Sequence, residues 1–487
     1  MKNKPTNVVL VTIALFVATF MSAVEGTIVS TAMPTIVGEL HGVTLMNWIF
    51  SIYLLTNSLA TPIYGKLSDR IGRKPVFLFG LAVFTFGSMM SGLSNSMLTL
   101  ILWRAVQGIG AGTIMPVSFT IIADIYPFEK RAQIMGLNGS AWGIASVVAP
   151  LLGGFIVDQL SWHWVFFINI PIGLITIFLI SLYLHEPKQK AATDPMDVAG
   201  SIWLSITLLG LMYGFQVIGE RHGRLLIVGI CFVVAAVSMW LFVHQEKRAT
   251  DPIIDLKLFS NRTFVIQNGV AALVSGFLIC FNVYIPTWTQ GLLGLPAAQA
   301  GFAVTPSSVM WIVGSFIAGR LIGKRRPQQI LLMSLTIVLV GAVILVLIPG
   351  NTPFWAFLLI SAELGVGFGL TITSTTVTSQ HLVNPAIIGM ATSFNTLARS
   401  LAQTIMLAIY GIVMNATLAE GVARHSQIKL GMLNALINPQ TAQKLPIHLL
   451  PTLRNVLASG VHNVFLAALG LVIIALGINT FDKRQTN

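Results

Sequence analysis

From Val8 to Thr480 the sequence runs as apolar stretches of about twenty residues parted by short polar turns, a pattern that leaves few folds open. A stretch of that length satisfies its own backbone hydrogen bonds only as a helix, and as a helix it spans the hydrocarbon core of a bilayer. Six such stretches lie near Val8 to Ile36, Trp48 to Tyr64, Val76 to Leu93, Met97 to Ile122, Gln133 to Val157 and Trp164 to Leu184. Two follow near Val198 to Ile218 and Leu225 to Val243. Six more lie near Thr263 to Trp288, Ala300 to Ile322, Gln329 to Ile348, Phe354 to Val377, Ile388 to Leu418 and Val456 to Thr480. The expectation is an all-α, multi-pass membrane protein of fourteen spans.

Composition agrees, with 55% hydrophobic and only 9% charged residues and a mean hydropathy of +0.83. The net charge of +12 does not point to nucleic acid, because the basic residues cluster in the turns rather than along one face. Most of them fall on alternate turns, and that bias places those turns, and both termini, in the cytoplasm. The two cysteines, Cys231 and Cys280, each lie inside a span, which supports neither a disulfide framework nor a metal site. The first span is too long for the apolar part of a cleaved signal, so it is read as retained. No G-x-x-x-x-G-K-[ST] loop is present, and ATP-driven pumping has no support.

The turn Gly65–Pro75, GKLSDRIGRKP, packs Lys66, Asp69, Arg70, Arg73 and Lys74 between two spans. Gly65 and Gly72 allow a sharp turn, and Asp69 lies within reach of Arg70 and Arg73, so the loop reads as a charge-paired latch. Its pattern, G-x-L-x-D-R-x-G-R-K, resembles the signature between the second and third helices of the major facilitator superfamily of secondary transporters. The resemblance implies a cytoplasmic gate of Gly65, Asp69, Arg70, Gly72 and Arg73, with Asp69 docked on the end of the thirteenth helix and Arg73 reaching Asp124. Asn384 and Pro385 would open that helix as its cap and first turn.

A second basic loop, GRLIGKRRP at Gly319–Pro327, holds the same place in the later set of six without the acid, so the two sixes read as parallel repeats. The organisation expected is residues 1–185 as a first six-helix bundle, 186–255 as a linker with an inserted helix pair, and 256–487 as a second bundle. An outer loop at about 420–454 carries apolar residues at helical spacing around Pro439, which suggests a short amphipathic hairpin over the outer mouth. Twelve helices plus a pair resembles the fourteen-helix drug:proton antiporters of the superfamily.

Glu25 has no charged residue within ten positions on either side. An acid at a helix centre costs about 2.5 to 3.5 kcal/mol, so it must face the bundle interior, pair or titrate. Arg104, in LWRAVQGIGAG at a similar depth, cannot discharge and needs acceptors. Glu363 lies near the middle of its own span, with Arg399 as a possible partner. The segments around Glu25 and Arg104 resemble the antiporters' first-helix and fourth-helix signatures, the latter matching at Gln107, Gly108 and Gly110, with Glu25 where Asp is usual. The resemblance implies proton coupling at Glu25 and Arg104; Glu363 matches no signature and is a candidate for recognising a cation or sharing the proton work. Gly136, Pro150, Gly153 and Gly154 resemble the fifth-helix antiporter motif. Trp48, Tyr53, Gln107, Phe281, Asn282 and Tyr284, with the two acids, are candidates for a substrate cavity.

The function implied is efflux of amphiphilic, cationic compounds by alternating access in the cell membrane. A proton gradient would supply the energy, with no cofactor, no metal, no enzymatic step and a monomer sufficing. Two alternatives stay open: export of an endogenous lipid or metabolite on the same fold, and a nontransporting membrane sensor or scaffold.

Overall fold

The computed structural model describes residues 6–40, 46–186, 197–219, 225–250, 252–295, 297–425, 427–437, 442 and 445–482. Among them the backbone is helical almost throughout and forms no strand. The early part holds α1 (Val8–Leu40), α2 (Met46–Ile71), α3 (Arg73–Gly92), α4 (Met97–Ile125), α5 (Phe128–Gln159), the single turn α6 (Trp164–Phe167) and α7 (Asn169–Tyr183). The pair read as an insert is α8 (Val198–Gly219) and α9 (Leu225–Glu246). Then come α10 (Arg262–Gly291), α11 (Ala297–Phe302), α12 (Thr305–Leu321), α13 (Pro327–Leu347), α14 (Phe354–His381), α15 (Ile388–Arg424), α16 (Leu430–Ile437) and α17 (Leu450–Thr480).

Twelve helices among the described residues are long and apolar enough to cross a membrane. Each overlaps one of the expected spans, while α2 and α5, which the sequence reading also counts, are helices of 26 and 32 residues outside that set. Most of the linker between α7 and α8, most of the turn between α8 and α9, and Pro439 lie outside the described residues.

Two compact units emerge, one of residues 1–214, 229–265 and 376–397, the other of 215–228, 266–375 and 398–487. This division departs from the expected boundaries: most of the α8/α9 pair belongs with the first unit, and so do the end of α14 and the start of α15. The physical reason for the second departure is a backbone contact. A Cβ on Gly65 of α2 would lie 1.8 Å from Ser393 Oγ and 2.9 Å from Gly389 O of α15.

Each unit is built on the same glycine pattern. In the first, Cβ atoms on Gly108 and Gly112 of α4 would lie 2.5 Å from Tyr53 O and 2.8 Å from Asn57 O of α2, and one on Gly110 would lie 2.2 Å from Phe84 N of α3. In the second, Cβ atoms on Gly365 and Gly369 of α14 would lie 2.2 Å from Ser307 O and Trp311 O of α12, and one on Gly367 would lie 2.6 Å from a methyl of Val338 of α13. Small residues let helices approach backbone to backbone where no hydrophobic force between helices exists. The two basic turns also match, since Gly72 and Gly323 both take positive φ, 104° and 85°, a region that favours glycine.

The core of the second unit is aromatic, with Phe277, Phe281, Trp288, Phe357, Phe368 and Tyr410 buried together. Tyr410 donates its hydroxyl to Gly276 O at 3.0 Å. In the loop expected at the outer face, α16 and a short turn at Ile447–Leu449 pack into the core of the second unit through Leu433, Leu436 and Leu449.

Candidate functional site

Within the first unit, α4 carries Arg104 one turn before Gly108, at the level where α2 comes closest. Its guanidinium ion-pairs with Glu25 Oε1 of α1. It also donates to Gln107 Oε1 at 2.8 Å and to Ile49 O at 3.3 Å, and it lies over the Tyr53 ring, 4.2 Å from the centroid. Glu25 is 0% and Arg104 1% exposed. Asn169, at the start of α7, donates to the other Glu25 oxygen. Asn169 also donates to Ser88 Oγ of α3 at 2.9 Å, and Ser88 in turn donates to Phe166 O at 2.9 Å.

Helices α1, α2, α3, α4 and α7 thus converge on one carboxylate. A buried arginine always carries its charge, so the arrangement offers it a carboxylate, an amide oxygen, a carbonyl and a ring face, and offers the carboxylate two donors. Removing either ion leaves the other uncompensated, at a cost of about 3 to 5 kcal/mol. Chemically the cluster can exchange a proton for an ion pair: a protonated Glu25 no longer holds Arg104 by charge.

The sequence brings Glu25, Arg104, Gln107 and Tyr53 to this place. Asn169 and Ser88 do not stand out in the sequence as site residues. Their only signal is a lone amide in the apolar run after Trp164 and a hydroxyl one turn before the end of α3.

The gate residues form a second cluster in the first unit, at the foot of α2 beyond its apolar stretch. Asp69 accepts from the amides of Gly389 at 2.9 Å and Met390 at 2.7 Å, at the first turn of α15. Arg73 pairs with Asp69 at 3.2 Å and with Asp124 of α4 at 3.0 Å. Gly72 turns the chain so that Glu186 can accept from the amide of Lys74 at 3.1 Å. Partial burial pushes the Glu186 carboxyl above its usual range, against the pull of that amide and of Arg73. Arg70 is half-buried on the last turn of α2. Asn384 caps a short 3₁₀ turn, Pro385–Ile387, that leads into α15.

The remaining candidates are scattered. Gly136, Pro150, Gly153 and Gly154 lie on α5, which is tied to α1 where Asn138 donates to Thr19 Oγ1 at 2.9 Å. Trp48 of α2 packs on Tyr213 of α8, ring centroids 5.7 Å apart. In the second unit Asn282 is exposed midway along α10. Phe281, expected at a cavity wall, is instead wholly buried against Phe368 at 5.7 Å, because its helix turns that face into the aromatic core. Tyr284 is likewise buried, with its ring 6.1 Å from that of Tyr410.

Glu363 shares a face of α14 with the exposed Leu359 and Trp355, one and two turns away, and it leans on Gly341 of α13, where an added Cβ would lie 2.3 Å from its Oε2. Its two carboxyl oxygens are buried, and the expected partner Arg399 is buried on α15. By the glycine pattern the counterpart of Arg104 in the second unit is Ser361, which accepts from Ser307 N at 3.1 Å.

Comparison with known proteins places these features in a family. The model described as Major Facilitator Superfamily matches residues 15–407. The chain is 34% identical to Multidrug resistance protein 3 of Bacillus subtilis (strain 168), over 96% of this chain and 93% of that protein. It is 31% identical to the Multidrug transporter protein MdtP of the same organism, over 98% of this chain and 93% of the relative. A crystal structure of the human organic anion transporter MFSD10 (TETRAN) shares the fold, with a TM-score of 0.65 at 15% identity, covering 96% of this chain and 99% of that one.

Proposed function

Because this chain belongs to the Major Facilitator Superfamily, we propose that it is a multidrug efflux transporter of the cell membrane that exchanges protons for amphiphilic, cationic compounds by alternating access. The names of its relatives support the multidrug reading. The observation that carries proton coupling is the wholly buried ion pair of Glu25 and Arg104, held by donors and acceptors from four helices, with Ser88 of a fifth bonded to Asn169.

In this reading Glu25 binds the proton and Arg104 senses it. With Glu25 ionised, Arg104 is clamped to α1. With Glu25 protonated, the guanidinium keeps Gln107, Ile49 O and the Tyr53 ring but loses its counter-ion, and α1 and α4 are free to shift. An ordered pair of states biased by one proton is what an exchanger needs, because a proton shifts the equilibrium only through its different affinity for the two states. The Asp69 contact with the first turn of α15 serves as the cytoplasmic latch, the positive helix end meeting a carboxylate. Both termini lie in the cytoplasm, a monomer suffices, and no bound cofactor takes part.

The test is efflux from proteoliposomes loaded with a fluorescent cation under an imposed pH gradient. Uphill transport that collapses when the gradient is dissipated supports the reading, and transport indifferent to the gradient removes proton exchange from it.

A further inference from the structure

At the foot of the α8/α9 pair, away from Glu25, two acids are buried together. Asp197 stands immediately before α8 and Glu246 ends α9; they are 7% and 4% exposed. They meet over Gly200: a Cβ there would lie 2.5 Å from Asp197 Oδ2 and 3.0 Å from Glu246 Oε1. Any side chain at that position would drive the carboxylates apart.

Their surroundings supply few donors. Asp197 Oδ1 accepts from the amide of Gly200 at 2.8 Å and from Gln245 Nε2 of α9 at 3.0 Å. Glu246 Oε1 accepts from the amide of Ile253 at 3.2 Å. Asp197 Oδ2 and Glu246 Oε2 are buried with no hydrogen-bond partner. The cation that faces Glu246 is Lys66 of α2, itself 6% exposed and part of the gate sequence. Among the described residues, the groups around the pair are thus a lysine from α2, an amide side chain from α9, and backbone amides of α8 and of the segment after α9.

Two carboxylates that face the same small residue in a poorly solvated place repel unless a proton or a cation lies with them. One lysine offsets one charge. We propose that Asp197 and Glu246 are a second protonatable site, holding one shared proton at the cytoplasmic foot of the α8/α9 pair, and that through Lys66 this site sets how firmly the gate helix α2 is held to that pair. The site answers to cytoplasmic pH. With the proton bound, the net charge of the trio is near zero and the cluster closes on itself; with it lost, Lys66 faces two anions and the pull on α2 changes.

Infrared titration of the purified full-length protein in detergent tests this without relying on transport. A protonated-carboxyl band that disappears with rising pH should be lost in both Asp197→Asn and Glu246→Gln, and should persist in Glu25→Gln. Lys66→Met, which removes the counter-charge, should shift the band's midpoint to higher pH. Gly200→Ala, which forces a methyl between the acids while altering neither, should split or displace the same titration, and serves if either acid variant fails to fold. A parent-minus-variant difference spectrum with no titrating carboxyl component, for either Asp197→Asn or Glu246→Gln, would overturn the shared proton; a band that Glu25→Gln alone removes belongs to the other site. A midpoint unmoved by Lys66→Met would overturn the link to α2. Failure of proton-driven efflux would leave these results unchanged, so the two readings fall separately.

Discussion

Asp69 and Gly389 are 320 residues apart in sequence, yet the carboxylate of one accepts the amide of the other at 2.9 Å. The second Asp69 oxygen takes the next amide, of Met390, so a single side chain occupies two free donors at the start of α15. Asp69→Asn retains one acceptor oxygen and loses the charge. The expected cost is about 1.5 to 3 kcal/mol, the range for hydrogen bonds to charged groups. Cysteine probes on the cytoplasmic side should then label faster than in the parent; equal labelling would mean that the contact is not a latch.

Arg104 divides its donors among Glu25, Gln107 and Ile49 O. A lysine is a point charge and cannot reproduce the planar fork. Arg104→Lys should therefore fold but export poorly. Arg104→Met should lose about 3 to 5 kcal/mol of stability by leaving Glu25 buried and unpaired. Adding Glu25→Gln to Arg104→Met should restore much of that stability without restoring transport. Thermal unfolding of the single and double variants checks the sign of this coupling.

Gly108 and Gly365 hold equivalent places in the two units, each against a carbonyl of the neighbouring helix. Gly108→Ala and Gly365→Ala should each lower the thermal midpoint, since a methyl cannot sit 2.5 Å or 2.2 Å from a carbonyl oxygen without parting the helices. Gly269→Ala meets nothing within 4 Å and should be neutral or slightly stabilising. A similar loss at all three positions would contradict the packing argument.

Much of this was legible in sequence because bilayer physics writes in long stretches. The apolar runs, the basic turns and isolated charges such as Glu25 and Arg104 each stand out against a 9% charged background. What packing decides was not legible. Glu363 looked like a partner for cargo, but the direction in which it points depends on where Gly341 lets α13 approach. Asn169 looked like one more polar residue in a helix, and only the fold brings it beside Glu25. Asp197 and Glu246 read as linker charges because they flank helices, and the closeness of the two ends of the α8/α9 pair is a tertiary fact. One signal was present and unread: GIGAG in α4 recurs as GVGFG in α14, and it marks the repeat more sharply than the basic turns do.

The position of Glu363, partly exposed beside Trp355 and Leu359, sets an expectation of its own. Glu363→Gln should keep uphill, proton-driven efflux of a neutral amphiphile, because the Glu25 cluster is built within the first unit and Glu363 belongs to the second. A cationic substrate should suffer more, as a carboxylate in a medium of low dielectric attracts a cation and offers little to a neutral molecule. Paired efflux measurements decide it, and equal losses for both substrates would place Glu363 in coupling instead.

The most direct measurement is proton-driven efflux by Glu25→Gln in proteoliposomes, with substrate exchange in the absence of a gradient as the control. The amide keeps the size of the side chain and one acceptor oxygen, for Arg104 or for Asn169 but not for both, and it cannot release a proton. The account predicts a folded protein that loses uphill transport while retaining downhill exchange. Uphill transport at the parent's rate in this variant would contradict it.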